Sequence, residues 1–144
     1  MLVKKILSTK ADDGVITILP SAGVTDAVKL LSSRRIGGVV ASEDGIVALG
    51  ILSERDIVRE LGKRGPACLN DTVGDMMTKS LQTCSTSDNA DAVLKRMTEG
   101  RFRHMPVTKD GQMVGLITLG DVINARLSEL AMEKDALEGM IMGH

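Results

Sequence analysis

The sequence predicts an α/β fold (α+β in arrangement): two pseudo-symmetric β-α-β-β-α units packed sheet to sheet, plus an extended C-terminal helix. Three observations carry the prediction. The stretch Gly50-Ile51-Leu52-Ser53-Glu54-Arg55-Asp56-Ile57-Val58 returns as Gly115-Leu116-Ile117-Thr118-Leu119-Gly120-Asp121-Val122-Ile123: a glycine, two aliphatics, a hydroxyl, two variable positions, an aspartate, two aliphatics. Asp44-Gly45 and Asp110-Gly111 stand at matching places before those stretches. Smaller matches run further back, with Arg35-Ile36 over Arg101-Phe102, Asp26-Ala27-Val28 over Asp91-Ala92-Val93, and Val3-x-x-Ile6-Leu7 over Val73-x-x-Met76-Met77. The repeat therefore covers nearly the whole chain.

In the first copy, Val15-Ile16-Thr17-Ile18 is short and β-rich and reads as a strand. Val24, Ala27, Val28 and Leu31 fall at helical spacing. Val39-Val40-Ala41 is a second strand, and Asp44-Gly45 a hairpin turn whose glycine supplies a positive φ. Ile46 to Leu52 is an almost unbroken apolar run, expected to be a strand buried on both faces. A helix is expected from about Glu54 to Leu61. The charged, turn-rich Gly62-Lys63-Arg64-Gly65-Pro66 separates the copies. In the second copy a strand is expected near Leu81 to Cys84, then a helix through Ala90, Val93, Leu94 and Met97. Strands near Met105 to Val107 and Gln112 to Ile117 flank the Asp110-Gly111 turn, and a last helix starts near Leu119. Pro106 has no N–H to give to a ladder, so an edge or bulge is expected there. The expected boundaries are 1–64 for the first unit, 65–127 for the second and 128–144 for a helical extension. A unit of about 60 residues buries too little surface alone, and packing two together solves that problem.

The extension has its own signal. Ile123, Leu127, Leu130, Lys134, Leu137 and Ile141 step by helical spacing, with Lys134 the one break. Such a helix either packs back on its own unit or zips against a second subunit. Gly139 and Gly143 weaken its end, and His144 is expected to fray.

Composition removes several function classes. The 144 residues are 43% hydrophobic, enough for a core, yet include one Phe and no Tyr or Trp. The aromatic platforms that stack single-stranded bases are missing. With 18 basic and 19 acidic residues the net charge is −1, without the basic excess of a duplex binder. Cys68 and Cys84 are far apart, and His104 and His144 are the only histidines, so neither a zinc site nor a disulfide framework is expected. The methionines read as pliable core. Lys4 and Lys5 interrupt the apolar residues of Met1 to Lys10, which do not make a signal-peptide core, and no apolar run reaches membrane length.

Ser53-x-x-Asp56 and Thr118-x-x-Asp121 are capping boxes at helix starts, and Thr72-x-x-Asp75 shows the same pattern. Two features point beyond capping. The first two boxes occupy the same place in a repeat, and a strand-to-helix junction at the carboxyl end of a sheet is where open α/β folds place ligands. An ionised Asp there accepts hydrogen bonds from both hydroxyls of a ribose, and nearby helix N–H groups hold phosphate.

With the motifs 50–58 and 115–123 and with Arg-Phe-Arg-His-Met-Pro-Val at 101–107, the chain resembles a tandem pair of CBS domains, a Bateman module, over about residues 1–127. The resemblance implies a flat disc with two clefts related by pseudo-twofold symmetry. It implies Ser53, Asp56, Thr118 and Asp121 as ribose ligands, and Arg103 and His104, with Arg101, as phosphate ligands. Thr17, Ile18, Gln82, Thr83, Met105 and Pro106 fall where an adenine pocket is implied. Where the second copy has Arg103-His104-Met105-Pro106, the first has Gly37-Gly38-Val39-Val40 and lacks the phosphate-binding side chains. Arg55 is the substitute cation there. The site around Thr118 and Asp121 is therefore expected to bind more tightly.

The expected function is a cytoplasmic regulatory or sensor module. It binds an adenine nucleotide (AMP, ADP, ATP or an NAD(H)-type dinucleotide) between the units and alters a partner protein in trans or its own homodimer. No catalytic cofactor, metal, nucleic acid or membrane is expected. Two alternatives stay open: a dimerisation scaffold without a physiological nucleotide, and a nucleotide-processing enzyme. Against the enzyme stand the lack of a Walker loop, of Gly-x-Gly-x-x-Gly and of a histidine pair, with His104 the only plausible general acid–base.

Overall fold

A computed structural model of the chain describes residues 1–10 and 14–142. α1 (Val3–Thr9), β1 (Thr17–Ile18), α2 (Val24–Arg34), β2 (Gly38–Ala41), β3 (Gly50–Ser53) and α3 (Glu54–Arg64) make the first run. A 3-10 turn over Gly65–Asn70 leads to α4 (Val73–Met76), α5 (Ala90–Gly100), β4 (His104–Lys109), β5 (Gln112–Thr118) and α6 (Leu119–Ile141). Gly143 and His144, expected to weaken and fray the last helix, lie outside the described residues.

The repeat is visible in local geometry. α2 and α5 both end in a non-glycine residue in the left-handed region, Arg35 and Arg101, each at φ 55°. β1 pairs parallel with β2, and β2 antiparallel with β3. β4 and β5 form the second antiparallel pair. Their turn holds Asp110 at φ 54° and Gly111 at φ 78°, the two positive values that a two-residue hairpin needs. The register slips between Val107 and Thr108, next to Pro106, so the proline sits beside a bulge as expected.

Two expected strands are cut short, each for a local reason. The run from Ile46 does not enter the sheet until Gly50. The Asp44 carboxylate takes the backbone N–H groups of Ile46 (2.8 Å) and Val47 (3.0 Å), which turns them into a loop. Ile46 and Val47 are exposed there, so burial on both faces holds only from Gly50 to Leu52. The strand expected at Leu81 to Cys84 is a single parallel bridge, Cys84 to Val107. Cys84 donates to the Pro106 carbonyl (3.0 Å) and accepts from the Thr108 N–H (2.8 Å). Extending that ladder one step back requires an N–H from Pro106, which has none. Val40 stands at the matching place in the first unit, and β1 forms beside it.

The units exchange their leading helices. Val3 and Ile6 of α1 pack into the second core with Val93, Met97, Met105 and Ile117. Val73 and Met76 of α4 pack into the first core with Val24, Leu31, Val39 and Leu52. Matching hydrogen bonds tie the exchange down: Val3 N–H to the Asp88 carbonyl (2.9 Å) and Val73 N–H to the Ala22 carbonyl (2.8 Å). Two glycines make room for it. A Cβ on Gly50 would lie 2.5 Å from Met77 Sδ, and one on Gly115 would lie 2.8 Å from Leu7 Cδ2. These are the repeat-related contacts of the two exchanged helices. Between the sheets, Val40 and Ile51 meet Met113, with Leu81 and Leu116 packed against them. The sheet-to-sheet arrangement is thereby formed.

α6 buries only Val122 and Ala125. Leu127, Leu130 and Leu137 are exposed, so the stripe read in the sequence does not pack back on its own unit.

Candidate functional site

Ser53 closes β3 and caps α3. Its Oγ accepts the Asp56 backbone N–H (3.2 Å), while Asp56 Oδ2 accepts both the Ser53 backbone N–H (2.9 Å) and its hydroxyl (3.0 Å). Thr118 repeats the arrangement at the start of α6. Its Oγ1 accepts the Asp121 N–H (3.1 Å), and Asp121 Oδ2 accepts the Thr118 N–H (2.9 Å). The capping reading is thus realised in both copies, and at Thr72 and Asp75 as well. The two repeat-related carboxylates differ in their cations. Arg59 Nη2 lies 3.0 Å from Asp56 Oδ1. Lys10 Nζ lies 2.8 Å from Asp121 Oδ2 and donates to the Leu116 carbonyl at 2.8 Å.

A cavity of about 490 Å³ opens at the first box. That volume is typical of a small-ligand site. Ser53, Glu54, Arg55, Asp56 and Arg59 form one wall. Ile51, Thr78, Ser80, Leu81 and Gln82 line it as well, together with Arg101, Phe102, Arg103 and His104. The cavity therefore joins the hydroxyl and carboxylate of one unit to the basic cluster of the other. Four guanidinium groups reach it against two carboxylates.

This lining differs from the grouping expected from sequence, which placed Arg103 and His104 with Thr118 and Asp121. The His104 backbone does pair with Thr118 in the sheet. Its ring, however, lies across Gly38 of the other unit: a Cβ there would fall 2.9 Å from both Cε1 and Nε2. Gly38 gives the space the ring occupies, whereas a Cβ on Gly37 would meet Glu54 at 3.4 Å and the ring only at 3.9 Å. Thr118 and Asp121 do not line this cavity, so the two carboxylates do not share one crevice.

Of the residues expected at an adenine pocket, Gln82 lines the cavity. Its Oε1 accepts from Arg96 Nε (3.3 Å) and Nη2 (3.2 Å). Thr83 is exposed outside the lining, and Thr17 and Ile18 are half-buried in β1. Met105 has no exposure and belongs to the second core, while Pro106 is buried opposite Leu116. Arg55 and Arg101 line the cavity. Arg59, Thr78, Ser80 and Lys10 were not singled out from sequence. Arg59 had a local signal, one helical turn beyond Asp56. Lys10 had none, because its contact spans nearly the whole chain.

Burial pushes the His104 imidazole below its ordinary range, with Lys10 and Arg103 adding to the effect and Glu54 opposing it. The folded chain thus binds a proton at His104 less readily than the unfolded one. The stability this contributes is complete above the unfolded value of about 6.5 and is lost as pH falls from there through the folded value. Urea unfolding at pH 7.5 and 5.5 is expected to show a fall in stability that the His104→Gln variant lacks. An equal fall in both proteins would place its cause elsewhere. For Asp121, burial acts upward, but the Lys10 ammonium and the Thr118 groups outweigh it and hold the carboxyl below its ordinary range.

Among the described residues no cluster of His, Cys, Asp and Glu could hold a metal ion, and no helix is long and apolar enough to cross a membrane. Comparison with known proteins agrees with the repeat. The family model for the CBS domain matches residues 3–63 and again 73–128. The chain is 32% identical over 145 aligned residues to the CBS domain-containing protein CBSX3, mitochondrial, of Arabidopsis thaliana, covering 98% of this chain and 70% of that protein. Several other curated relatives are much longer, and the chain spans 24% of their length. Among solved structures it is similar to the CBS-domain containing protein ATU1752 from Agrobacterium tumefaciens, at 38% identity and TM-score 0.82, covering 88% of this chain and 99% of that one. It is also similar to CBSX2 solved in complex with AMP, at 28% identity and TM-score 0.68, covering 88% and 96%.

Proposed function

The chain belongs to the CBS-domain family, with two domains in tandem, and from that premise we propose that it is a non-catalytic regulatory module whose cleft takes an adenine nucleotide. One observation carries the reading: a single cavity holds Ser53 and Asp56 of one unit together with Arg101, Arg103 and His104 of the other. We take residues 1–64 and 65–127 as the two units, locked together by the exchange of α1 and α4. In the cleft, Asp56 accepts from the ribose hydroxyls and Ser53 supports it. Arg55, Arg101 and Arg103 take the phosphates as charge-assisted donors, with His104 beside them. Leu81 and Gln82 face the base. Four arginines suit a ligand with more than one phosphate, such as ADP, ATP or NAD, as well as AMP, the ligand of the CBSX2 complex.

Binding across both units transmits a signal only if the ligand prefers one arrangement of them. The reader of that signal is a protein bound in trans or a second copy of the chain held through the exposed stripe of α6. Two free, buried thiols suit a reducing compartment, the cytoplasm in our reading.

The test uses the missing chromophores. Without Trp or Tyr the protein barely absorbs at 280 nm, so a nucleotide that copurifies stands out at 260 nm. A thermal-shift panel of AMP, ADP, ATP, NAD, NADH and S-adenosylmethionine follows. A true ligand at 100 times its Kd adds about 2.7 kcal/mol of stability. A clean spectrum and an unmoved melting point across the panel would leave only the scaffold reading.

A further inference from the structure

The two hydroxyl–Asp boxes are alike in sequence and in local geometry, but they differ in what reaches them. At the open cleft the connection after α4 supplies Thr78 and Ser80 to the lining. There the Thr78 backbone exchanges hydrogen bonds with Ile51, N–H to carbonyl at 2.9 Å and back at 3.0 Å. Continuing the register that places Val3 over Val73, the residue matching Ser80 is Lys10. The residue matching Ile51 is Leu116. In the second half the Lys10 ammonium takes over the Leu116 carbonyl (2.8 Å) and in the same stroke reaches Asp121 Oδ2 (2.8 Å). Two arginines of the open site have no counterpart either, since Gly120 and Asn124 stand where Arg55 and Arg59 stand in the first half.

We propose that Lys10 is an internal latch: its ammonium occupies the second carboxylate in place of the sugar hydroxyls, so the module presents one open nucleotide site and one closed by its own chain. This rests on the reading of Asp56 and Asp121 as ribose acceptors. A carboxylate oxygen that already accepts from Thr118 and from an ammonium is a poorer acceptor for a hydroxyl. Asp56 also meets a cation, but the half-exposed Arg59 does so from its own helix, on Oδ1, and itself lines the cavity, whereas Lys10 comes from another element onto the oxygen that accepts from Thr118 and is tied there by the Leu116 carbonyl. A nucleoside reaches Asp121 Oδ2 only by displacing the Lys10 ammonium. By linkage, whatever draws the Lys10 ammonium off Asp121 makes the second site available, and a nucleotide bound there releases the ammonium by the same factor.

The test is calorimetric titration with AMP of the wild type, Lys10→Met, Lys10→Gln and Lys10→Arg. One AMP per chain is expected for the wild type and for Lys10→Arg, which keeps the cation, and two for the neutral variants. Two comparable sites in the wild type, one site in the neutral variants, or weaker binding on losing Lys10 would each overturn the latch. The last of these would make Lys10 a phosphate ligand instead. The Asp121 carboxyl, followed by carbon-13 NMR titration, needs no ligand. Its pKa is expected to rise toward the ordinary range in Lys10→Met, and an unchanged value overturns the contact itself. If AMP binds none of the proteins, the reading of the cleft fails and the gate with it, while the carboxyl titration still reports whether the ion pair forms.

Discussion

Asp56→Ala is expected to weaken AMP binding by more than about 100-fold, whereas Asp121→Ala in the otherwise unchanged chain is expected to shift it by less than about threefold. Two hydroxyl-to-carboxylate hydrogen bonds are lost in the first case, each contributing about 1.5–3 kcal/mol. In the second case the lost carboxylate is bound to Lys10 and lines no part of the open cavity. Both substitutions also remove the carboxylate half of a capping box while leaving the Ser53 or Thr118 cap in place, which costs less than losing the cap itself. Asp56→Asn separates the effects. Its amide oxygen still accepts the Ser53 N–H, so the cap survives better than the charge. Asn at 56 should therefore bind poorly while unfolding close to the wild type. Calorimetric titration and urea unfolding read the two quantities. A larger loss from Asp121→Ala would assign the principal site to the other half of the molecule.

That ranking reverses the one the sequence suggests, and the reason shows where sequence reading stops. Ser53-x-x-Asp56 and Thr118-x-x-Asp121 were legible because a capping box closes within one helical turn. The Asp110-Gly111 hairpin was legible for the same reason. The composition of the clefts was not. Arg103 and His104 lie near Thr118 in register, yet the His104 ring fills the space left by Gly38, a contact between units that no spacing within one unit reveals. Gly38, read as part of a missing phosphate site, is a packing requirement. The exchange of α1 and α4 and the reach of Lys10 to Asp121 are likewise long-range. The two shortened strands fell between these cases. Asp44 and Pro106 were in plain view, and their effects on N–H supply could be weighed only once the partner strand was known.

Leu52→Ala is expected to lower the unfolding free energy by about 2–5 kcal/mol, the range for truncating a fully buried aliphatic side chain. Leu52 has no exposure, pairs with Val39 across the ladder and sits in the first core with Val24, Ala27, Ile57 and the incoming Val73. A cavity there loosens both the sheet and the exchanged helix α4. Val58→Ala, on the exposed face of α3, is the comparison and should stay within about 0.5 kcal/mol. Leu52 also directly precedes Ser53, so the variant ties core packing to the site. If the Ser53–Asp56 cap is held by its own hydrogen bonds, a saturating nucleotide should restore about as much stability to Leu52→Ala as it adds to the wild type. If the core behind β3 positions the cap, the ligand increment should shrink with the core. Urea unfolding of both proteins with and without AMP distinguishes these outcomes. A loss below about 1 kcal/mol in the unliganded variant would mean that the first core closes over the gap and that Leu52 is not the keystone its burial implies.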